Sequence, residues 1–423
     1  MDIEIQPGAL KGTVNIPSSK SLCHRAIIAA GLSKGNSNLE NILFSKDIEA
    51  SIDAMVNLGA KIISEGDKLL IEGIGFPELR KSEINCNESG STLRFLIPIA
   101  LLQDNKITFT GKNRLKERPL GPYINIFEKK SISYDNKNGL PLTVKGPLQP
   151  GEYSLPGDVS SQFISGLLFA LPLLKSDSKI VITTELESKG YVDLTLDILN
   201  KFGVKVQNNA YQEYSIPGNQ SYKSIDYRVE GDFSQAAFWL CAGVLHGEIE
   251  CKDLNFESFQ GDKAILAILK AMGANIVEGT DGVKAYSSKT KGIIIDASGC
   301  PDLVPILAVM GALSEGTTEI INAGRLRIKE SDRLNAISTE LNKLGGKVVE
   351  REDSLFITGV ETLKGGMVES YNDHRIAMAL AIASLKCDNS VIIRDSNCIK
   401  KSYPGFFEDF AELGGIIDEW ILG

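Results

Sequence analysis

The chain has 423 residues, 43% hydrophobic and 23% charged, with a formal net charge of −9. That length leaves room for two or three domains with substantial cores, in a composition ordinary for a globular protein. No apolar run reaches the roughly 18 residues of a membrane-spanning helix, and the acidic balance argues against general nucleic-acid binding.

From the N-terminus, Ile3 and Ile5, then Val14 and Ile16, alternate as in β-strands, with none of the basic-then-apolar pattern of a signal peptide. A cytoplasmic protein is expected. Seven cysteines are scattered along the chain without a C-x-x-C, and there are three histidines. Buried free thiols and no metal site are therefore expected.

A short phrase recurs about every 70 residues: Leu58-Gly59-Ala60-Lys61, Phe202-Gly203-Val204-Lys205, Met272-Gly273-Ala274-Asn275, Leu344-Gly345-Gly346-Lys347 and, more weakly, Leu413-Gly414-Gly415. A degenerate copy near Lys129-Lys130-Ser131-Ile132 puts Lys129 in the glycine's place. Helical runs (Ile48 to Leu58, Val192 to Phe202, Lys263 to Met272, Arg333 to Leu344) precede the glycines, and Ile/Val-rich segments follow. This is the mark of a helix closed by a left-handed cap and succeeded by a strand. Six units account for nearly the whole chain. Each is too small to bury a core alone, so copies must pack together.

The cations gather in a few segments. Pro17-Ser18-Ser19-Lys20-Ser21-Leu22-Cys23-His24-Arg25 leads into an apolar helix, which places Lys20 and Ser21 at a helix N-terminus, where backbone N–H groups and the dipole favour an anion. Asn87-Glu88-Ser89-Gly90-Ser91-Thr92-Leu93-Arg94 is a second such entrance, with Gly90 allowing close approach to the backbone. In Lys116-Glu117-Arg118-Pro119, Pro119 is expected to begin a helix and hold Arg118 just outside its first turn. Asp158-Val159-Ser160-Ser161-Gln162 and Ser188-Lys189-Gly190-Tyr191 offer hydroxyls and an amide at further entrances. Each of these also reads as simple helix capping. Arg327-Ile328-Lys329-Glu330-Ser331-Asp332-Arg333 surrounds Glu330 with cations, and Tyr371-Asn372-Asp373-His374-Arg375 precedes an Ala-rich helix. A carboxylate in Glu330's setting suits proton transfer beside a bound anion.

Together with Pro301-Asp302 and Lys401-Ser402-Tyr403-Pro404, these segments resemble, in order and over the whole chain, the 5-enolpyruvylshikimate-3-phosphate synthase family of enolpyruvyl transferases. The resemblance implies an α/β fold, an inside-out α/β barrel in two domains, each of three βαβαββ units. The implied domains are residues 18–229, and residues 1–17 with 230–423, with the active site in the cleft between them. It also implies transfer of the enolpyruvyl group of phosphoenolpyruvate to shikimate 3-phosphate by addition and elimination, without metal or other cofactor, in a monomer that binds neither nucleic acid nor membrane.

Carried over position by position, Lys20 is implied to touch both substrates. Ser21, Arg25, Ser160, Ser161, Gln162, Ser188, Tyr191, Asp302 and Lys329 resemble shikimate-3-phosphate ligands. Gly90, Arg118, Gln162, Arg333, Arg375 and Lys401 resemble the phosphoenolpyruvate site. Asp302 resembles the base at the 5-hydroxyl and Glu330 the acid that protonates the methylene carbon, with His374 either aiding proton transfer or ordering its loop. Departures from the common pattern include His24 where asparagine is frequent, Ser18-Ser19 for a Gly-Ser pair, Glu88-Ser89 before Gly90, and Arg325. The sister enzymes that act on UDP-N-acetylglucosamine are the nearest rival. They carry Asn after the N-terminal Lys and a loop cysteine, whereas Ser21 follows Lys20 here and 113–118 has no cysteine. A non-catalytic anion-binding homologue is the other alternative, against which intact Asp302 and Glu330 argue.

Overall fold

A computed structural model of the chain describes residues 1–136 and 138–420. The chain divides into two compact units, Ser18–Val229, and Met1–Pro17 together with Glu230–Gly423. Among the described residues there are twelve α-helices, six in each unit. In the first unit these are α1 (Lys20–Gly31), α2 (Lys46–Asn57), α3 (Gly90–Ala100), α4 (Gly121–Lys130), α5 (Ser161–Ala170) and α6 (Lys189–Lys201). In the other they are α7 (Phe233–His246), α8 (Ala264–Ala271), α9 (Val304–Ala312), α10 (Arg333–Lys343), α11 (His374–Ala383) and α12 (Phe406–Glu412).

One module shows the plan. Strand Glu83–Asn85, α3, strand Lys106–Thr110, α4, then strands Ser133–Asn136 and Leu142–Lys145 follow in chain order as βαβαββ. The first two strands pair in parallel, and the last strand lies antiparallel between the second and third. The same pairing recurs in all six sheets. Three modules are completed by distant chain. Strand Ser33–Glu40 takes its parallel neighbours from Tyr222–Lys223 and Tyr227–Arg228. Strand Asp2–Ile5 pairs antiparallel with Val391–Arg394 and Ile417–Trp420, and Leu10–Asn15 runs parallel to Gly247–Lys252. Residues 1–17 thus belong with the C-terminal half because they supply strands to two of its sheets.

Within each unit the helices between parallel strands form the centre. Every residue of α9 and of α11 is buried, as are the last ten of α1, as expected of helices apolar on all sides. The second helix of each module is amphipathic: α2 buries Ile48, Ala54 and Met55 and exposes Glu49 and Asp53. Strands alternate, as in Lys68–Ile74 with Leu69 and Ile71 inward, so the sheets lie outside with one face on the helices. Helices inside and sheets outside make each unit an inside-out α/β barrel. No helix among the described residues is long and apolar enough to cross a membrane.

The recurring glycines sit where the phrase predicts. Gly59, Gly203, Gly273, Gly345 and Gly414 all have positive φ, between 81° and 114°. At Gly59 the cap is closed by Ala60 N–H donating to Met55 O and Gly59 N–H to Val56 O. In the degenerate module the left-handed residue is Ser131, with φ 56°, and Lys129 lies inside α4. Ser131 falls midway between Gly59 and Gly203, so the period is more regular than the Lys129 alignment suggests. A second difference concerns Pro119: it precedes α4, whose first-turn proline is Pro122.

Candidate active site

In the unit Ser18–Val229, the sequence-predicted residues cluster at helix starts. Lys20 opens α1 and its Nζ donates to Asp47 Oδ2 at 3.0 Å, from the first turn of α2. Arg25 is buried one turn further on. Its Nε donates to Thr195 Oγ1 at 2.8 Å, Nη1 to Ser21 O at 2.7 Å and Nη2 to Tyr191 O at 2.8 Å. The guanidinium also lies 5.0 Å from the Phe95 ring centroid. Burial pulls its pKa down to about 10, which leaves it charged at neutral pH. Arg25 therefore fastens α1 to the start of α6, where Ser188 (φ 53°) and Tyr191 lie.

Gly90 begins α3 behind Ser89, whose side chain accepts from Thr92 N. The Arg118 guanidinium packs against this turn so closely that a Cβ on Gly90 would stand 2.7 Å from Nη1. Ser160 caps α5 by accepting from Gln162 N at 3.3 Å, and Ser161 is the first helical residue. Gln162 is held at both ends, its Oε1 accepting from Arg94 Nη1 at 2.8 Å and its Nε2 donating to Ser91 Oγ at 2.9 Å. Arg94 also donates through Nη2 to Pro119 O at 3.2 Å and lies 4.8 Å over Phe163. Arg94 and Asp47, which sequence reasoning passed over, thus brace the residues it did select. A basic residue four positions after Gly90 was the available signal for Arg94.

In the unit formed by Met1–Pro17 and Glu230–Gly423, one ion-pair network joins several more. Arg333 opens α10 and is 1% exposed. Its Nη1 donates to Asp302 Oδ1 at 2.9 Å, Nη2 to Glu330 Oε2 at 2.7 Å and Nε to Asp373 Oδ2 at 2.8 Å. Burial opposes its charge, yet the carboxylates of Asp373, Glu330 and Asp302 outweigh that and raise its pKa above the ordinary arginine value. Arg375 Nη2 donates to the other Asp302 oxygen at 3.0 Å, and Lys329 Nζ stands 3.6 Å from Oδ1. Asp373 caps α11 by accepting from Arg375 N, and also accepts from Ser331 Oγ. His374, the first residue of α11, is buried with Nδ1 4.0 Å from Asp373 Oδ1. Lys401 Nζ donates to Asn372 O at 2.7 Å. Asp373 is the buried centre of this network, a role hidden in the sequence because its partners come from α10 and the turn before it.

All seven cysteines are buried free thiols, as composition suggested. Burial raises the thiol pKa of Cys86, Cys241, Cys251 and Cys300, which suits packing and not nucleophilic chemistry.

Chemically, both clusters offer fixed cations and backbone N–H groups at helix starts, the equipment for holding small phosphates and carboxylates. The second adds two half-buried carboxylates, Asp302 and Glu330, tied to one arginine. Comparison with known proteins agrees in kind. A sequence model of EPSP synthase (3-phosphoshikimate 1-carboxyvinyltransferase) matches residues 5–410. The chain is 58% identical to the 3-phosphoshikimate 1-carboxyvinyltransferase of Clostridium novyi (strain NT), covering 100% of this chain and 99% of that protein. It is 57% identical to the protein of the same name from Clostridium acetobutylicum, with the same coverage. Among solved structures, an EPSP synthase from Acinetobacter baumannii superposes with TM-score 0.84 at 24% identity, covering 99% of this chain and 100% of that one.

Proposed function

The chain belongs to the EPSP synthase (3-phosphoshikimate 1-carboxyvinyltransferase) family, and we propose that it transfers the enolpyruvyl group of phosphoenolpyruvate to the 5-hydroxyl of shikimate 3-phosphate, releasing phosphate. The observation that carries this reading is the identity of 57–58% along the full chain to enzymes of that name, in a protein where Arg333 ties together Asp302 and Glu330.

Two mutually repelling anions must be held together, so cations have to reach both. In this reading Lys20 touches both substrates. Ser21, Arg25, Ser160, Ser161, Gln162, Ser188, Tyr191 and Lys329 hold shikimate 3-phosphate, and Gly90, Arg118, Gln162, Arg333, Arg375 and Lys401 hold phosphoenolpyruvate. Glu330 protonates the methylene carbon, the 5-hydroxyl oxygen bonds to the neighbouring carbon, and Asp302 takes the hydroxyl proton. Phosphate then leaves as the new methyl group loses a proton, restoring the double bond. His374 supports these proton transfers from the start of α11. The Arg333 and Arg375 N–H groups that bond Asp302 and Glu330 are also those an incoming phosphoenolpyruvate draws on. Its binding therefore loosens the carboxylates at the step where they exchange protons.

The reading takes the chain to work as a monomer on small molecules, with no nucleic-acid or membrane partner. A cytoplasmic location goes with it, since seven buried thiols suit a reducing compartment. A phosphate-release assay with both substrates tests the proposal. Binding of shikimate 3-phosphate without release of phosphate would mark an anion-binding homologue, and release only with UDP-N-acetylglucosamine would mark the sister activity.

A further inference from the structure

A chain of buried hydrogen bonds runs across three helices of the unit Ser18–Val229. His24 Nδ1 lies 2.7 Å from Ser51 Oγ, Ser51 Oγ 2.7 Å from Thr92 Oγ1, and Thr92 Oγ1 donates to Ser89 Oγ at 2.7 Å. None of the four residues is more than 1% exposed. Ser89 already accepts from Thr92 N at 3.1 Å as the cap of α3. Each hydroxyl has one proton to give. Thr92 spends its proton on Ser89, so Ser51 must donate to Thr92, and His24 must donate to Ser51 through Nδ1–H. Nε2 is a buried atom that makes no hydrogen bond, so a second proton there would be stranded; the ring is neutral, with a bare lone pair on Nε2. Burial, with Lys20 and Arg25 nearby, holds the His24 pKa well below its ordinary 6.5 and keeps it so.

The chain ends where it matters. Ser89 precedes Gly90, the residue against which Arg118 packs. α2 serves as the splint: Asp47 pairs with Lys20, and Ser51, one turn later, takes His24. The rest of α1 is fastened independently, because Arg25 bonds Thr195 and the Tyr191 carbonyl on α6. Breaking the chain therefore disturbs the start of α3 and leaves the α1–α6 side in place.

We propose that His24 is a positioning residue which, through Ser51 and Thr92, sets the Gly90 turn that binds phosphoenolpyruvate. This rests on the functional reading above. Two variants break the chain, His24→Ala at its start and Thr92→Val at its third member, and Thr92→Ser restores the hydroxyl. Losing one such buried bond in His24→Ala should raise KM for phosphoenolpyruvate about fivefold, and losing two in Thr92→Val should raise it at least as much. Thr92→Ser and the KM for shikimate 3-phosphate should stay within about twofold of wild type on the same scale. Nitrogen-15 NMR of histidine-labelled wild-type protein should show His24 as the Nδ1–H tautomer at pH 7. Both KM values rising together, loss confined to kcat, Thr92→Ser as poor as Thr92→Val, or an Nε2–H or charged ring would each overturn the proposal. If the wild type releases no phosphate, the reaction is refuted instead, and the tautomer alone then decides for or against the chain.

Discussion

Arg333 Nη1 stands 2.9 Å from Asp302 Oδ1, and the guanidinium making that bond is 1% exposed. The same group bonds Asp373 from inside the unit and Glu330 beside it. The planar fork reaches the three carboxylates with three separate nitrogens, a spread that a single ammonium nitrogen lacks. Arg333→Lys keeps the charge but strands the buried Asp373 carboxylate. Its unfolding free energy in urea should fall by about 3 kcal/mol, and kcat/KM should drop on the order of 100-fold. A variant as stable as wild type would show that Asp373 is held by its cap contacts and Ser331 alone.

Glu330 lies half-buried at the loop end that feeds α10, bonded to Arg333. Glutamine has the same shape and still accepts from the arginine, but it cannot deliver a carboxyl proton. Glu330→Gln should therefore lower turnover by roughly 100-fold or more, while calorimetry shows shikimate-3-phosphate binding largely preserved. Near-normal turnover would take Glu330 out of the proton-donating role.

Gly90 is needed for closeness of approach. A methyl group there would meet Arg118 at 2.7 Å from Nη1 and 3.0 Å from Cζ, so the guanidinium has to swing away. The atoms met are the far end of a flexible side chain, so the swing itself costs little, but a displaced guanidinium weakens a charged bond worth about 1.5–3 kcal/mol, which puts the rise in KM for phosphoenolpyruvate in Gly90→Ala on the order of tenfold. Steady-state kinetics with each substrate varied in turn will show whether the effect is confined to that one.

These particulars also show what the sequence discloses. Gly59 and its counterparts were legible because a left-handed cap selects glycine, which leaves a periodic trace. The second module escaped correct alignment because Ser131 occupies that conformation at some steric cost. The cations around Glu330 could be read from one short segment, because Lys329 and Arg333 lie within three residues of it. Asp47 and Asp373 could not, since their partners lie on or just before other helices and nothing local marks a long-range bond. The pairing of Asp2–Ile5 with Val391–Arg394 is equally invisible to local pattern.

Asp262 supplies a pH test of the unit that carries Asp302. Its carboxyl is buried and accepts from the Ser234 hydroxyl. Burial first, then the charge of Asp302, pushes its pKa up to about 6, with Arg375 and the Ser234 bond opposing. A carboxyl raised in this way favours folding in its protonated form. The contribution is fully present below the ordinary value of 3.8 and is lost as pH rises through about 6. Above that, the folded protein carries the cost of a buried charge. Asp262→Asn is neutral at every pH and can still accept from Ser234, so it should melt a few degrees higher than wild type at pH 7.5, at about 2–4 °C per kcal/mol for a unit of this size. The gain should vanish near pH 4, where the wild-type carboxyl is itself protonated in the fold. An equal shift at both pH values would mean that the substitution acts through packing, and that the Asp262 charge is not what the fold resists.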